Sequence, residues 1–507
     1  MIATTLQEAL AGQAHRAEAT VTFGTSARRE RLTYPEFAAQ IAAAAGGFAD
    51  QGVRRGDRVL LRVGSSREGV LALLGLIHLG AVPVSVKPHV PGTAVERYFA
   101  AVTQQQGARH GFRVSGPGLT GLRLVLRTGD APGPAPGGPE DVAFIQYTSG
   151  STGMPRPIPL SHRAVLGNIE AISDVAGMKP GHAGLIALPL HHDMGLIGVL
   201  TSLVRGIDLV VEEPGTFLRR PLAALRLVRD AEAVHSAFPD FMLRYLAARI
   251  GEAAGQETAD PGLFGAWRTV FCGAEPIRKP SIDTFVGATR GWGLDPTALV
   301  FCYGLAEAAL MATSHRYTDA ETAFHTEGPV TTACLGIPMP RLDLRIVDAS
   351  GRECGEAEAG TVQLRGATLF NGYDGTTDHR VAWFDTGDVG CLRSGRLHLS
   401  GRRSDRISVN GVNVFAADVE QSATELPGVA ECVALPYEES FALVVVARRG
   451  ERIDPSEVAQ RVAADFGLAP RSVVEVAHSA VARTASGKPA RTHMATLLDQ
   501  GVLGHLP

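Results

Sequence analysis

Helical and strand-like hydrophobic patterns alternate over residues 1–127 and again over 161–300, and this alternation restricts the fold more than any other feature. The first stretch contains a helical segment at Tyr34–Asp50 and a strand at Asp57–Val63. The apolar run Gly69–Val86 changes character midway, which predicts a buried helix followed by a buried strand rather than a membrane span. Such alternation is typical of α/β folds, in which helices pack on largely parallel sheets.

The pattern changes twice in the second half of the chain. Residues 335–400 indicate short strands separated by turns, and a smaller alternating pattern begins after Gly401. That pattern predicts a helix at 416–426, strands at 430–436 and 441–448, and a helix from Pro455 with Asp454 as its N-cap. We therefore predict a large N-terminal domain at 1–403, with a strand-rich subdomain at about 335–400, and a small α+β domain at 404–507.

Composition excludes several classes of protein. The chain of 507 residues is 45% apolar and 20% charged, as globular proteins are, and its net charge of −4 without a basic stripe argues against nucleic acid as a partner. The six cysteines are scattered and form no C-x-x-C pair, so we expect neither a zinc site nor a disulfide framework. Because the N-terminus also lacks a signal-peptide pattern, we expect a cytoplasmic protein.

The segment Tyr147–Pro157 carries the strongest local signal. It follows a predicted buried strand at Asp141–Tyr147, and the six residues Thr148–Gly153 are all threonine, serine or glycine. Such a loop presents several backbone N–H groups and hydroxyls to phosphate oxygens, and Arg156 adds a positive charge. Its spacing differs from the P-loop pattern G-x-x-x-x-G-K-[ST]. On composition alone, a flexible turn is the alternative interpretation.

Two further clusters contain groups that suit a nucleotide. Phe301–Glu307 ends an apolar strand with an aromatic ring, a glycine and a carboxylate, which can stack on a base and bind a hard cation. Trp383–Asp388 places a carboxylate on a tight turn, where it suits the two hydroxyls of a ribose. The alternatives are a strand end with a solvated glutamate for the first cluster and an ordinary turn for the second.

Lysine is rare in this chain, because only four of its 48 basic residues are lysine. Lys488, at the end of the segment Arg483–Lys488 (RTASGK), is one of these four. Where arginine is the default, a lysine carries information. A compact ammonium on a mobile loop can follow a transferring phosphoryl group as a point charge, which favours a catalytic role for Lys488.

These clusters, in this order and at these separations, resemble the adenylate-forming superfamily of acyl-CoA synthetases, luciferases and peptide-synthetase adenylation domains. Within it, the chain most resembles the fatty acyl-AMP ligase branch. The segments that carry the resemblance are FIQYTSGSTG (Phe144–Gly153), LPLHHDMGLIG (Leu188–Gly198), AFPDFMLRYL (Ala237–Leu246), GAEPIR (Gly273–Arg278), YGLAEAAL (Tyr303–Leu310) and N-x-x-x-x-D-V-E (Asn413–Glu420). The resemblance implies a large domain of helix-covered sheets with a small β-barrel-like subdomain, followed by a small mobile C-terminal domain.

The resemblance also implies a role for each matching residue. The residues that would hold ATP are Thr148, Ser149, Gly150, Ser151, Thr152, Gly153 and Arg156 at the phosphates, Gly273, Ala274, Glu275, Tyr303 and Gly304 at the adenine, and Asp388 and Arg402 at the ribose. The catalytic residues would be Lys488, His192, Thr148 and Glu307, which would also bind Mg²⁺. The residues that would contact the acid are His192, Met194, Gly195, Ser236, Asp240, Gly304, Leu305 and Ala306, and Ser404 matches the hinge position.

The activity implied by the resemblance is ATP-dependent conversion of a carboxylic acid to an acyl-adenylate with release of pyrophosphate. The acyl group would then pass to the phosphopantetheine thiol of an acyl carrier protein, in lipid, polyketide or other natural-product biosynthesis. Three alternatives stay open: an acyl-CoA synthetase with CoA as acceptor, a stand-alone amino-acid adenylating enzyme, and a non-catalytic nucleotide-binding partner protein.

The chain departs from the pattern of the branch at three places. Arg156 replaces a lysine and Pro157 a glycine after the phosphate loop, and Asp240 replaces an asparagine. The stretch between Phe370 and Asp385 is shorter than in the fatty acyl branch. A small or polar acid is therefore as compatible with the sequence as a long fatty acid.

Several single residues have an ordinary structural interpretation beside the functional one. His191 and His192 precede Asp193, but neighbouring residues of a strand point to opposite sides, so we expect no metal chelate from this run. We interpret His235 as a core or pocket-wall residue. Asp240 either pairs with a substrate ammonium or caps the following helix, and we favour the cap.

Overall fold

The computed structural model describes residues 3–24, 29–86, 102–114, 119–129, 132–135, 137–148, 156–254, 260–373, 377–409, 412–437, 440–483 and 489–503, without the side chain of Thr148. The chain divides into two compact units. The first comprises Met1–Asp319, Gly336–Asp343 and Arg365–Phe384, and the second comprises Ala320–Leu335, Leu344–Leu364 and Asp385–Pro507. The contacts thus group 385–403 with the C-terminal residues, and the domain boundary at Arg403–Ser404 stays a prediction.

The described residues of the first unit form two sheets. Within its described residues, six strands form one sheet in the order β6-β5-β3-β4-β7-β8. The strands are β3 (Arg58–Leu61), β4 (Val82–Ser85), β5 (His110–Phe112), β6 (Thr120–Leu122), β7 (Val142–Thr148) and β8 (Arg156–Ser161). All neighbours are parallel except β7 and β8, which are antiparallel. This arrangement confirms the predicted buried strand before the Thr/Ser/Gly segment.

The second sheet of this unit contains nine strands in the described part of the chain. Their order is β17-β14-β13-β12-β11-β9-β10-β1-β2. The strands are β1 (Thr20–Phe23), β2 (Glu30–Thr33), β9 (Ala183–Ile186), β10 (Asp208–Val211), β11 (Val234–Phe238), β12 (Trp267–Cys272), β13 (Leu299–Gly304), β14 (Met311–Arg316) and β17 (Ile337–Pro338). The six central strands are parallel, and antiparallel strands lie at both edges.

Several helices of the first unit begin or end at residues that cap them. The helix Tyr34–Asp50 starts with a capping box between Thr33 and Glu36. The helix Arg67–Leu79 ends at Gly80, whose φ of 76° suits glycine, and β4 follows it, as predicted for this apolar run. Within the described residues, further α-helices of this unit include Leu6–Gln13, His162–Ala176, Asp193–Arg205, Pro214–Arg219, Pro221–Val228, Asp240–Ala254, Gly262–Gly265 and Lys279–Thr289. Short 3₁₀ turns are Arg290–Trp292, Pro296–Ala298 and Ala306–Ala308.

The second unit begins with strand-rich segments. They comprise the short helix Ala320–Ala323, the antiparallel pair β15 (Phe324–Glu327) and β16 (Val330–Ala333), and a four-stranded sheet of β18 (Leu342–Val347), β19 (Gly360–Gly366), β20 (Phe384–Arg393) and β21 (Arg396–Arg402), followed by a 3₁₀ turn at Arg403–Asp405. Most residues of the four-stranded sheet belong to this unit. The strands agree with the turn-punctuated pattern of residues 335–400.

The C-terminal part of the second unit has the predicted alternating pattern. Its elements are β22 (Arg406–Val409), β23 (Val412–Phe415), the helix Ala416–Thr424, β24 (Val429–Pro436), β25 (Phe441–Ala447), the helix Pro455–Phe466, β26 (Ser472–Glu475), a 3₁₀ turn at His478–Ala480 and the helix Arg491–Asp499. Asp454 caps its helix as predicted, because its side chain accepts a hydrogen bond from the Ser456 N–H. Two apolar clusters, which contain Leu443 and Val444 respectively, use alternate residues of β25.

In neither unit does any helix of the described residues have the length and apolar character that crossing a membrane requires.

Candidate active site

The predicted clusters of the first unit follow neighbouring parallel strands at the same edge of the nine-stranded sheet. Asp240 follows β11, Gly273–Glu275 follows β12, and Leu305–Glu307 follows β13. β11, β12 and β13 are adjacent and parallel, so their carboxyl ends meet. In open α/β sheets, ligands bind outside these carboxyl ends. The fold therefore brings three sequence-predicted segments together at a position suited to a ligand.

A cavity opens at this edge of the sheet. It is lined by residues of the predicted site and by apolar side chains, and it encloses about 740 Å³ of space, part of which is open to solvent. The predicted site residues among its lining are Met194, Ser236, Gly273, Ala274, Tyr303 and Gly304. Concave sites with mostly apolar walls and a few polar groups are typical of small-molecule sites. The cavity is thus a candidate binding site within the first unit.

Close backbone packing explains the glycines at this edge. A Cβ atom on Gly273 would lie 2.8 Å from the Cys302 carbonyl oxygen, and one on Gly304 would lie 1.9 Å from the Leu310 carbonyl oxygen. Ala274 and Ala309 have φ angles of +69° and +64°, which are uncommon for residues with a side chain. Such strained backbone is concentrated at functional sites, and here it flanks the segments after β12 and β13.

Glu307 lies on the 3₁₀ turn after β13, with a hydrogen-bonded tyrosine beside it. Its side chain is buried, and Oε1 accepts a hydrogen bond of 2.6 Å from the Tyr373 hydroxyl. Burial and the neighbouring Glu307 carboxylate raise the pKa of Tyr373 above its usual range, so this phenol stays a donor. The Arg156 guanidinium lies 5.4 Å from the centre of the Tyr373 ring. Sequence reasoning missed Tyr373, because 66 residues separate it from Glu307.

His191 and His192 lie on the turn before the helix Asp193–Arg205 and not in a strand, so the reason given for expecting no chelate was wrong. The two histidine rings are 4.3 Å apart between centroids instead of pointing to opposite sides of a strand. His192 is the extended N-cap residue of the helix Asp193–Arg205, and its side chain forms no capping hydrogen bond. Among the residues that the structure describes, no group of three or more His, Cys, Asp or Glu side chains could hold a metal ion.

The start of the helix Asp193–Arg205 packs tightly on the preceding loop. A Cβ atom on Gly195 would lie 2.2 Å from the Pro189 carbonyl oxygen, which explains a glycine at this position. Met194 is buried beside it and lines the cavity. Ser236 lines the cavity as well, and its hydroxyl donates to the Leu185 carbonyl oxygen at 2.6 Å. The structure thus brings Met194 and Ser236 to one cavity.

Asp240 is the first residue of its helix, and its described hydrogen bonds go to another helix, which corrects the preferred interpretation as a cap. Its side chain is only 2% exposed, and its two carboxylate oxygens accept hydrogen bonds from the Arg278 N–H at 3.0 Å and the Ser281 hydroxyl at 2.8 Å. Arg244 Nε lies 3.4 Å from the same carboxylate. Burial raises the pKa of Asp240, and these hydrogen bonds oppose that shift. Asp240 therefore joins the helix it begins to the start of the helix Lys279–Thr289.

We expect Asp240→Asn to lower the free energy of unfolding by about 1–3 kcal/mol, because an amide cannot accept both buried hydrogen bonds. All three tryptophans (Trp267, Trp292 and Trp383) belong to the first unit, so their fluorescence in a urea titration reports on that unit. The exposed Asp283→Asn is the matched control and should change this free energy by less than about 0.5 kcal/mol. If Asp240→Asn instead raised KM for an amino acid far more than for its des-amino analogue, the result would support the interpretation that Asp240 pairs with a substrate ammonium.

Glu275 also has a structural contact in the described chain. Its Oε1 accepts a hydrogen bond of 2.6 Å from the Phe241 N–H, near the start of the helix Asp240–Ala254. Tyr303 is buried in β13, and the Leu305 N–H donates to the Leu310 carbonyl oxygen, which closes the turn that contains Ala306. The first contact joins the loop after β12 to the helix after β11, and the second is internal to the turn after β13.

The second unit contains the predicted ribose-binding pair. Asp388 and Arg402 face each other across β20 and β21, and Arg402 Nε lies 3.0 Å from Asp388 Oδ1. Asp388 is buried, and its backbone N–H donates to the Thr386 hydroxyl. The predicted hinge residue Ser404 lies on the following 3₁₀ turn, where its hydroxyl donates to Asp405. The structure therefore brings Asp388 and Arg402 together.

Two predicted segments lie outside the described residues. They are Ser149, Gly150, Ser151, Thr152 and Gly153 of the phosphate loop, and Lys488. The side chain of Thr148 is also outside the described atoms.

Comparison with known proteins places these observations in a family context. The sequence model described as "AMP-binding enzyme" matches residues 6–105 and 103–374. The "putative ligase Rv1013" of Mycobacterium tuberculosis is 31% identical over 415 residues, which span 74% of this chain and 75% of the relative. The "long-chain-fatty-acid–AMP ligase FadD28" of the same species is 27% identical over 508 aligned positions, which span 86% of this chain and 87% of the relative.

Solved structures are similar over nearly the whole chain. One, from a study of fatty acyl-adenylate ligases of E. coli and L. pneumophila, has a TM-score of 0.84 and 25% identity, and the match covers 98% of both chains. Another, of McyG A-PCP complexed with phenylalanyl-adenylate, has a TM-score of 0.84 and 21% identity, covering 98% of this chain and 96% of the other. The expected fold is thereby confirmed.

Proposed function

Since the chain belongs to the AMP-binding enzyme family, as an acyl-adenylate-forming ligase of the fatty acyl-AMP ligase type, we propose that it loads an acyl carrier protein. In the first step, an oxygen of the acid's carboxylate bonds to the α-phosphorus of ATP, and the bond from that phosphorus to pyrophosphate breaks. In the second, the phosphopantetheine sulfur of the carrier bonds to the acyl carbon, and AMP leaves.

The observation that carries this proposal is the apolar cavity at the carboxyl ends of β11, β12 and β13. Its mouth contains Gly273, Ala274 and Tyr303, which we assign to the adenine of ATP, and its wall includes Met194 and Ser236. An acyl chain in the cavity places its carboxylate at the mouth, beside the nucleotide. An apolar wall also keeps water from the adenylate, which is prone to hydrolysis.

The remaining contacts to the reactants follow from the type of each side chain. We assign the ATP phosphates to Thr148–Gly153 and Arg156, the ribose to Asp388 and Arg402, and the acid's carboxylate to His192. Lys488 bridges the carboxylate and the α-phosphate. Because a carboxylate and a triphosphate are both anions, their approach requires positive charge, which Lys488 and Arg156 supply.

Glu307 has the properties of a Mg²⁺ ligand in this scheme. It offers a buried carboxylate three residues after Gly304 of the cavity lining, and its hydrogen bond from Tyr373 orients one oxygen, as the neighbours of metal-binding carboxylates do. Mg²⁺ commonly takes only one or two protein carboxylates and completes its ligands with phosphate oxygens and water. A bound Mg²⁺ would neutralise charge on the phosphates.

The acceptor and the substrate class separate this proposal from its alternatives. An acyl-CoA synthetase uses the same adenylation residues and differs in the thiol. An amino-acid adenylating enzyme needs a partner for the substrate ammonium, and Asp240 already accepts hydrogen bonds from Arg278 and Ser281. We assign Ser404 to a hinge about which the C-terminal residues turn between the two steps.

Two assays test the proposal. ATP–pyrophosphate exchange, measured with fatty, aromatic, hydroxy and amino acids, tests adenylation. We expect exchange with at least one acid that carries no amino group. Transfer from the adenylate is then compared between a holo-acyl carrier protein and CoA. Efficient CoA ester formation without carrier loading would overturn the acceptor, and exchange absent with every acid would favour a non-catalytic nucleotide-binding protein.

A further inference from the structure

The cavity extends away from its mouth along one face of the helix Asp193–Arg205. Asp193, Ile197 and Thr201 line it at spacings of four residues, so they share a face. At 1.5 Å per residue, Thr201 lies about 12 Å along the helix axis from Asp193. On the sheet side of the cavity, His235 lies at a similar depth, because it pairs with Thr269, three residues or roughly 10 Å before the end of β12.

Two polar atoms of the cavity lining have no hydrogen-bond partner within the described part of the chain. They are Nδ1 of His235 and Oγ1 of Thr201, and both side chains are only 2% exposed. The cavity wall around them is apolar and includes Ile172, Met178 and Ile197. Because buried polar atoms in folded proteins are nearly always hydrogen-bonded, these two take a partner from inside the cavity, which is water or a bound ligand.

The hydrogen bonds of the neighbouring histidine determine what His235 can bind. His182 Nδ1 accepts the Lys179 N–H at 3.3 Å, and since a backbone N–H only donates, this nitrogen carries no proton. His235 Nε2 lies 2.8 Å from the same nitrogen and must therefore donate to it. In the neutral ring, this leaves Nδ1 of His235 as an acceptor. Burial lowers the pKa of His235 to about 3, so the ring is neutral at physiological pH.

We propose that the acid substrate carries a hydroxyl group about ten chain atoms from its carboxylate, and that this hydroxyl donates to Nδ1 of His235 beside the Thr201 hydroxyl. The inference rests on the proposed function, which places the carboxylate at the mouth. An extended chain advances roughly 3.5 Å per three bonds, so about ten bonds span the 12 Å. A buried acceptor in an apolar wall matches a neutral donor, whereas a terminal methyl leaves it unpaired and a second carboxylate repels it.

Matched acids test this inference. We expect wild-type protein to adenylate 10-hydroxydecanoic acid with a kcat/KM about 10–100-fold above that of decanoic acid, in a pyrophosphate-release assay. Thr201→Val removes one hydroxyl with little change of shape and should reduce this ratio several-fold. His235→Leu removes the acceptor and should bring the ratio to one or below, by raising kcat/KM for decanoic acid relative to the hydroxy acid.

Ser202→Ala is the control for changes in the cavity wall. Ser202 lines the cavity next to Thr201, but its hydroxyl already donates to the Gly198 carbonyl oxygen at 3.0 Å, so the wild-type ratio should persist. Equal kcat/KM for both acids in wild type, or a ratio unchanged in both Thr201→Val and His235→Leu, would overturn the inference while adenylation stands. If no acid of the panel supported pyrophosphate release, the proposed function would be wrong, and this inference would fall with it.

Discussion

Replacing Lys488 with alanine is expected to slow formation of the acyl-adenylate by about 10²–10³-fold, the usual cost of losing one preorganised charge in a transition state. Two anions approach each other in this step, and we assign Lys488 to the position between them. The measurement is single-turnover pyrophosphate release with saturating ATP and acid. Transfer of the acyl group from preformed adenylate to the carrier thiol should change far less, because the proposal gives Lys488 no part in that step.

The chain on either side of residues 484–488 is anchored by described contacts, so the variant should keep its fold. Arg483 and Pro489 form an antiparallel bridge, and Arg483 Nη2 lies 2.6 and 2.7 Å from the two Glu431 carboxylate oxygens. Arg491 Nη2 lies 2.6 Å from Glu420 Oε1. These contacts do not involve the Lys488 side chain, and a loss of rate is therefore attributable to the ammonium.

Two further variants make the Lys488 result specific. Lys488→Arg keeps the positive charge, but a planar guanidinium does not replace a compact ammonium, so we expect most of the loss to remain. Lys279→Ala removes another of the four lysines, one whose ammonium pairs with Asp283 on the surface, and should leave the rate unchanged. Adenylation that persisted undiminished in Lys488→Ala would show that the assignment of this residue is wrong.

Local patterns in the sequence were sufficient to predict most of the fold. The alternation of helix and strand gave the parallel sheets, and caps such as Thr33 and Asp454 lie where helices begin. These features depend on residues within about four positions of each other, which a sequence displays directly. The resemblance to a known family extended the prediction to the adenylate-forming fold, which solved structures confirm.

Contacts between distant segments were not predictable in the same way. Asp240 has the type and position of a helix cap, yet its partners lie 38 and 41 residues later. His191 and His192 looked like strand residues because an apolar segment precedes them, but the turn brings their rings together. The unpaired nitrogen of His235 depends on a hydrogen bond to His182, and no local pattern records such a tautomer.

Tyr373 belongs to the same class of long-range contact, and it supplies a way to test Glu307. The Phe370 N–H donates to the Glu307 carbonyl oxygen at 2.9 Å, which fixes the segment that carries Tyr373. From there, the Tyr373 hydroxyl donates to the Glu307 carboxylate at 2.6 Å. One residue is thus proposed to bind Mg²⁺ directly, and the other to orient that ligand. The two roles predict losses of different size in the same measurement.

Glu307→Gln is expected to lower kcat/KM for ATP by at least about 100-fold and to raise the Mg²⁺ concentration needed for half-maximal rate, because a neutral amide is a poor ligand for a hard cation. Tyr373→Phe leaves the carboxylate but removes its orienting hydrogen bond. Loss of such a neighbour typically lowers metal affinity by about 10–100-fold. Titration of Mg²⁺ in the pyrophosphate-release assay, at a fixed ATP concentration well below KM, measures both the Mg²⁺ midpoint and kcat/KM for ATP in each variant.

The exposed Glu252, which pairs with Arg249 on the surface, provides the matched control. Glu252→Gln makes the same chemical change away from the cavity and should leave the Mg²⁺ requirement as in wild type. If Glu307 had only a structural role, Glu307→Gln would lower the amount of folded protein. The Mg²⁺ midpoint of the fraction that folds would then stay as in wild type. A Mg²⁺ midpoint unchanged in both Glu307→Gln and Tyr373→Phe would therefore contradict the metal assignment, since removing either the ligand or its orienting donor must weaken the ion's binding.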